Sequence, residues 1–281
     1  MIMYTHEAEL ETMVIHQMDD VKQHYIVWTN PLELARELGI SVTFGKLGPD
    51  QEGAAFAEDI VLDSTIGVRA RQRFTLYHEI VHHLIRRNDK LYSILHEQYQ
   101  ADKDFTRILE RLCNIGAAEF VLSRNTVRAV LANSKFSIEL VKELSKVDEI
   151  SSTAACVQLA LCAKHSCITV VCTMTTHVNQ GKTALFGKMK SESALQVNVA
   201  TRSACTAYTV ARGCLMFKGH FFYEVYEQAN EKSIREKSSI PFRNNQSWVV
   251  ESEAIRIGKQ LFGVFHLEPP LVNSPDQLSF F

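Results

Sequence analysis

The stretch RQRFTLYHEIVHHLI at residues 71–85 decides the first part of the fold. Its apolar residues recur at helical spacing, which predicts a helix from Arg69 to Arg86. His78 and His82 are four residues apart, so their side chains lie on one face of that helix, about one turn apart. Two imidazoles placed in this way can bind one Zn²⁺, and Glu79 beside them can act as general base toward a water molecule. The stretch therefore predicts a metal site on a partly buried helix.

The alternative is a helix whose histidines only cover a core surface. The apolar flanks of the motif argue against it, because a buried histidine pair without a partner is costly. His83 is a rival ligand, but it points about 140° around the helix from His78, whereas His82 points only about 40° away. We therefore take His82 as the ligand and expect His83 to be exposed or to support a ligand.

A catalytic zinc needs a third protein ligand and one open position. The downstream carboxylates are Asp89, Glu97, Asp102, Asp104, Glu110 and Glu119. Residues 88–104 are polar, and we expect an irregular loop there. Glu110 and Glu119 lie on a second helix, predicted from Phe105 to Ser123. Periodicity alone does not separate these two, since both stand beside apolar positions.

Bulk composition limits the classes of function. The 281 residues carry a net charge of -2, so no global charge attracts nucleic acid or an anionic membrane. The seven cysteines are odd in number and scattered, which is typical of free thiols in a reducing compartment. The first residues do not resemble a signal peptide, and no stretch approaches the roughly 20 apolar residues of a membrane span. We expect a cytoplasmic protein without a membrane partner.

The chain divides into three predicted parts, in an α+β arrangement. Residues 1–124 hold the histidine helix, 125–165 are helical in period and resemble a helix-turn-helix, and 166–281 are rich in strands. The predicted strands of the third part are Ile168–Cys172, Ala194–Val199, Ala207–Ala211, Trp248–Ile257 and Gln260–Leu267. Gly258 and Lys259 form a plausible tight turn between the last two.

Residues 71–85 together with LERLCNIGAAEFVLS at 109–123 resemble the metallopeptidase domain of the IrrE/ImmA family. The order of the parts is similar too: a zincin-like peptidase domain, a helix-turn-helix-like segment and a GAF-like α/β sheet domain. The resemblance implies that His78 and His82 are metal ligands, that Glu79 is catalytic, and that Glu110 is the third ligand. Glu119 is then a bystander. The stretch GAAFAEDIVLDST at 53–65 matches a strand pair beside the active site, where a substrate peptide can add as a strand.

The resemblance also implies a function. Members of this family cut a helix-turn-helix repressor of the DdrO/XRE type after stress, which induces the response to DNA damage and radiation. The cofactor would be Zn²⁺, although Mn²⁺ in vivo also suits two histidines and a carboxylate. The GAF-like domain would be a sensor for a small molecule or a stress signal, an expectation that rests on analogy of fold.

Two rival functions remain open. One is a transcriptional regulator that binds DNA through residues 137–163, but acidic residues outnumber lysines from 137 to 165, and the net charge of about -1 over that range argues against a phosphate-contacting surface. The other is an ImmA-like peptidase for the repressor of a mobile element; the long C-terminal region favours the stress-response version. Cys162, His165, Cys167 and Cys172 lie close together, but their spacing fits no standard zinc site, and we expect core thiols.

Overall fold

A computed structural model describes residues 2–48, 51–99, 102–146, 150–178, 191–229, 232–242 and 248–267. The chain forms two compact units. Unit 1 comprises Met1–Ser123 with Asp148–Ser151, and unit 2 comprises Arg124–Val147 with Ser152–Phe281. The helices predicted between 125 and 165 thus share a unit with the strands that follow them. The division of the chain at residues 124 and 165 stays a prediction.

Unit 1 combines helices with a small sheet. In chain order its elements are α1 (Ile2–His24), a short 3-10 helix (Ile26–Thr29), α2 (Pro31–Glu37), β1 (Ser41–Gly45), β2 (Gly53–Ala55), β3 (Asp59–Asp63), α3 (Arg69–Arg86), α4 (Asp89–Gln98) and α5 (Asp102–Val121). The helix predicted from the histidine motif is α3, with the bounds expected. Its buried side, with α1, α5 and β3, forms the core of the unit.

Helix α4 corrects the irregular loop expected at 88–104. The side chain of Asn88 accepts a hydrogen bond from Leu91 N (3.1 Å) and so caps the start of the helix. Leu91 and Leu95, one turn apart, are buried in the core. One narrow apolar stripe is therefore enough to fix this helix, although most of its residues are polar.

The three-stranded sheet of unit 1 has the order β1-β3-β2. β1 runs parallel to β3, and β2 runs antiparallel to it, pairing Gly53 with Leu62 and Ala55 with Ile60. Within the described residues no strand pairs with the outer edge of β2. The strand pair expected in 53–65 is thus present, and β2 is its free edge.

Unit 2 combines helices with a larger antiparallel sheet. Its elements are α6 (Arg124–Asn133), α7 (Leu140–Leu144), α8 (Ser152–Cys162), β4 (Cys167–Val178), β5 (Ser191–Arg202), β6 (Leu215–Met216), α9 (Phe221–Gln228), β7 (Ile234–Ser239), β8 (Val249–Ile257) and β9 (Gln260–His266). The strand order is β6-β5-β4-β9-β8-β7. The strands predicted around 168–172, 194–199, 248–257 and 260–267 are present, and Gly258, with φ +59°, begins the turn between the last two.

Both faces of β4 are covered by helices. Thr169 Oγ1 donates to Cys156 O of α8 (3.5 Å), whereas Ile168 and Val170 share a core cluster with Phe222 of α9. Alternate side chains of a strand point to opposite faces of the sheet. β4 is therefore an inner strand of the sheet and is covered by a helix on each face. An α+β fold with an N-terminal helical unit and a C-terminal sheet is therefore established. The helix-turn-helix and GAF-like likenesses stay predictions.

One strand prediction in unit 2 was wrong. Ala207–Ala211 is not a strand: the segment is held by local bonds, such as Tyr208 N to Thr206 Oγ1 (3.2 Å) and Arg202 Nη1 to Ala207 O (2.8 Å). Its alternating apolar residues find no neighbouring strand to pair with among the described residues. Three elements of unit 2 were not anticipated: the two-residue strand β6, the aromatic helix α9 and the charged edge strand β7.

All seven cysteines lie in the described residues and are free thiols, six of them buried. Burial raises the pKa of Cys156 and that of Cys167 to about 12, which keeps both protonated at neutral pH. In the described part of the chain, no helix has both the length and the apolar character needed to cross a membrane.

Candidate metal centre

The facing sides of α3 and α5 carry the candidate ligands. His78 Nε2 lies 3.2 Å from His82 Nε2, as expected for residues one turn apart on a helix. Glu110 of α5 reaches both imidazoles, with Oε2 at 3.1 Å from His78 Nε2 and Oε1 at 3.3 Å from His82 Nε2. These three side chains form a cluster suited to a metal ion, and no other group of His, Cys, Asp or Glu in the described ranges does so.

A close approach of the two helices makes this convergence possible. A Cβ atom added to Gly116 of α5 would lie 2.7 Å from Val81 Cγ1 of α3 and 3.3 Å from Met18 Sδ of α1. Real Cβ atoms do not come so near, so a larger residue at 116 would push α5 away. Gly116 thus lets α5 pack closely enough for Glu110 to meet the histidines.

The separations within the cluster fit a tetrahedral ion. Ligands about 2.0–2.1 Å from a tetrahedral zinc lie roughly 3.3–3.4 Å from one another. Here the two nitrogens are 3.2 Å apart, and each has a different oxygen of the Glu110 carboxylate near it, Oε2 at 3.1 Å from His78 Nε2 and Oε1 at 3.3 Å from His82 Nε2. Two nitrogen lone pairs and a carboxylate pointing at one place repel each other unless a cation or a proton lies between them. The donor set and its spacing therefore fit a divalent metal with one position left open.

Asn114 orients the first histidine. His78 Nδ1 lies 3.2 Å from Asn114 Oδ1, one turn beyond Glu110 on α5. An amide oxygen can only accept, so Nδ1 carries a proton; once the ring is neutral, Nε2 carries the lone pair and can bind a metal. The spacing of Asn114 from Glu110 puts the two side chains on one helix face. Asn114 is a site residue that the sequence did not assign.

Burial and neighbouring charges shift the pKa of His78 in opposite directions. Burial lowers the pKa of His78, but the hydrogen bond with Glu110 and the charge of Glu79 outweigh it, and the pKa is raised overall. The hydrogen bonds with His78 and His82 hold the pKa of Glu110 well below its usual range. Glu110 is therefore ionised, and the cluster presents a negative charge to a cation.

Glu79 lies beside the cluster and is only 7% exposed. Burial raises the pKa of its carboxyl group, opposed by the positive charge of His78 and His82. A desolvated carboxylate with a raised pKa takes a proton more readily than one in water. Glu79 thus has the environment of a general base.

Two other residues weighed from the sequence lie outside the cluster. Glu119 is buried on the other side of α5, with Lys22 Nζ 3.9 Å from its Oε2. His83 is 2% exposed, so the first of its two expected roles, an exposed residue, is wrong, and the second, support of a ligand, stays a prediction. Burial lowers the pKa of His83, and a hydrogen bond with the backbone of Asp59 in β3 partly offsets this. Cys162, His165, Cys167 and Cys172 do not come together as a metal site.

Part of the chain is similar to known metalloproteases. Residues 35–160 match the peptidase family described as the IrrE N-terminal-like domain. A protein named Radiation response metalloprotease IrrE from Deinococcus deserti is 32% identical over 176 residues, which is 62% of this chain and 60% of the relative. The protein of the same name from Deinococcus radiodurans is 27% identical over 218 residues, 77% of this chain and 65% of the relative. The chain thus matches less than two thirds of the length of either relative.

A solved structure is similar to nearly the whole chain. A transcriptional regulator from Mycobacterium tuberculosis covers 92% of this chain, with 76% of its own length, at a TM-score of 0.55 and 15% sequence identity. At this low identity the likeness shows a shared fold only.

Proposed function

We propose that this chain, of which residues 35–160 match the IrrE N-terminal-like peptidase family and which is similar to two metalloproteases named IrrE, is a zinc-dependent endopeptidase. Its substrate would be a helix-turn-helix transcriptional repressor of the DdrO/XRE type, whose cleavage induces the response to DNA damage and radiation. The observation that carries the proposal is the convergence of His78, His82 and Glu110 with donor separations of 3.1–3.3 Å, next to the buried Glu79.

Each residue of the site has a separate role in the proposed reaction. His78, His82 and Glu110 would hold the metal, and Asn114 would keep the His78 ring in position. The metal, when bound, supplies a Lewis acid that lowers the pKa of water and polarises the scissile carbonyl. Glu79 takes the proton of the attacking water and passes it to the leaving amine. Burial raises the pKa of Glu79 and so strengthens it as the base in the first transfer; the second transfer runs downhill because the leaving amine is far more basic than a carboxylate.

The free edge of β2 would bind the substrate. β2 borders α3 beside Glu79, and its outer backbone groups have no strand partner among the described residues. An extended peptide adding to this edge would gain main-chain hydrogen bonds while its scissile bond lies near Glu79.

The rival function, DNA binding through residues 137–163, is disfavoured by helix α8. A recognition helix needs exposed polar or basic side chains to reach DNA. α8 has the sequence STAACVQLALC, has no lysine or arginine, and exposes none of its residues. A peptidase for a mobile-element repressor would use the same site, so it differs from our proposal only in the substrate.

A sensory role of the C-terminal region rests on the likeness to GAF domains alone. α8 packs against β4 in the same unit. Removal of everything after residue 165 would thus remove part of the packing of α8. Control by a small molecule or a stress signal is better tested with the full chain.

The decisive experiment pairs the protein with a repressor. The purified chain, with Zn²⁺ or Mn²⁺, is incubated with the DdrO-type repressor from the same genome, beside the variant Glu79→Gln. We expect one metal-dependent cut, seen by gel and intact mass, that is slower in the variant by about 10²- to 10⁴-fold. Glu79→Gln should still bind one metal ion per chain.

The possible results separate the parts of the proposal. A fully active Glu79→Gln variant would refute the mechanism. No cut by a protein that binds one metal per chain would refute this substrate, and the repressors of mobile elements would be tested next. Tight, salt-sensitive binding to promoter DNA without proteolysis would support the rival function.

A further inference from the structure

Gly53, the first residue of β2, lies against the carboxylate of Glu79. A Cβ atom added to Gly53 would lie 2.7 Å from Glu79 Oε1, 2.9 Å from Glu79 Cγ and 2.9 Å from Thr75 Cγ2. All three distances are shorter than real Cβ contacts. The side chain of Glu79 therefore packs directly against the backbone of β2 at Gly53.

The backbone of Gly53 does not itself require glycine. The glycines with positive φ among the described residues are Gly39, Gly213, Gly219 and Gly258. An alanine at position 53 is thus free of backbone strain and slightly restricts the unfolded chain. The only cost of a side chain at this position is the space that Glu79 and Thr75 occupy.

The strand cannot easily move away from the helix. Thr75 Oγ1 donates to Glu52 Oε2 (3.2 Å), and Arg71 of α3 forms an ion pair with the same carboxylate. At the other end, Arg86 Nη1 donates to Ala55 O (3.4 Å). β2 is therefore tied to α3 on both sides of Gly53.

Because β2 is held against α3, a new Cβ at position 53 has to displace a side chain of α3. The side chain that moves is the one whose end is not held by hydrogen bonds. Thr75 is buried and held by Glu52 and by Arg71 O (3.0 Å). The Glu79 carboxylate ends a flexible side chain and is the closest atom group. An alanine at position 53 would therefore displace the Glu79 carboxylate and leave His78 and His82, which touch other atoms, in place.

We propose that Gly53 is a positioning residue: its missing side chain sets where the Glu79 carboxylate lies relative to the metal ligands. The proposal rests on the function proposed above, in which Glu79 is the general base. Catalysis by proton transfer depends on placement, and a shift of about 1 Å can cost on the order of 10²-fold in rate. Gly53 would thus act on the rate of the chemical step rather than on metal or substrate binding.

The test uses Gly53→Ala in the full chain. We expect kcat for the repressor to fall by about 10- to 100-fold, with KM and the metal stoichiometry unchanged. A crystal structure of the variant should show the Glu79 carboxylate moved by about 1 Å or more while His78, His82 and Glu110 stay in place. The crystal structure needs no substrate and so tests the proposal even if the repressor is not cut.

Two further variants serve as controls. Gly45→Ala adds the same methyl group at the end of β1, where it would meet only Val61 Cγ1 at an ordinary 3.5 Å, and kcat should be unchanged. Thr75→Ser combined with Gly53→Ala removes the Thr75 methyl group from the conflict but leaves Glu79 in it. The activity of this double variant should stay low.

The outcomes are separable. Wild-type kcat in Gly53→Ala, an unmoved Glu79 carboxylate, recovery by Thr75→Ser, or a rise in KM alone would each overturn the positioning role. The function proposed above fails instead if Glu79→Gln remains active, whatever Gly53→Ala does.

Discussion

Helices α3 and α8 are both largely buried, but they bury different kinds of side chain. The buried side of α3 includes Thr75, Glu79, His82 and His83, whereas the buried residues of α8 are apolar apart from Gln158. Burying a polar or charged group costs free energy unless it finds a partner. A helix that buries several histidine and carboxylate groups at this cost is typical of a functional site, and one that buries mainly uncharged side chains is typical of a core.

The difference between α3 and α8 also favours a peptidase over a DNA-binding protein. α8 lies in the segment considered for DNA binding, but six of its eleven residues are buried and none is exposed. α3 holds its polar groups toward Glu110 on α5. The chemistry of this chain is therefore to be sought on α3, and the following predictions test that contrast.

The largest effect is expected at His82. His82→Ala removes one of three donors, and we expect loss of metal binding and of cleavage together. Isothermal titration with Zn²⁺ and the repressor cleavage assay measure the two losses. The neighbouring variant His83→Ala should keep the metal, since His83 lies outside the cluster; a metal-binding His82→Ala protein would contradict the assigned ligands.

A large effect of another kind is expected in α8. Leu159 is fully buried, and Leu159→Ala should lower the free energy of unfolding by about 2–5 kcal/mol. Its metal affinity at low temperature should stay within about twofold of the wild type, because Leu159 and the metal cluster belong to different compact units. Denaturant unfolding followed by circular dichroism, with metal titration, measures both. A change in metal affinity would mean that α8 acts on the site.

A smaller effect is expected at Asn114. Asn114→Ala removes the acceptor for His78 Nδ1, and metal affinity should fall about 10- to 100-fold. Competition with a chelator of known affinity measures the change. Asn114→Asp, which keeps an oxygen at this position, is the matched control and should retain most of the affinity. Equal affinity of Asn114→Ala and the wild type would remove Asn114 from the site.

The smallest effect is expected at Gln158. Its Oε1 atom is buried and has no hydrogen-bond partner within the described residues. Gln158→Met keeps the shape and removes the unpaired oxygen, so the free energy of unfolding should rise by about 1 kcal/mol. Thermal and denaturant unfolding measure it. A clear loss of stability would show that α8 also depends on a buried polar contact.

The sequence predicted the two helices of the site because their patterns are local. α3 and α5 have strong apolar periodicity, and the four-residue spacing of His78 and His82 is a property of one helix. α4 was missed because its apolar stripe is narrow and its polar residues dominate the composition. α9 was missed because its aromatic residues are equally typical of strands.

Contacts between distant segments were beyond local patterns. Glu110 and Glu119 are nine residues apart, so they point about 180° from each other around α5. The sequence does not say which face meets α3; the structure puts Glu110 beside His78 and Glu119 near Lys22. Gly53 of β2 and Glu79 of α3 lie close together. Neither segment of sequence on its own predicts this contact.

Glu110 has one more consequence, for how the ion arrives. Its side chain is 50% exposed, whereas those of His78 and His82 are 13% and 8% exposed. The cluster thus opens to solvent on the carboxylate side, and an ion can be captured there, first by the charged oxygen and then by the two nitrogens. Loading and release then need no unfolding, and the concentration of free metal around the protein sets the fraction of molecules that hold it.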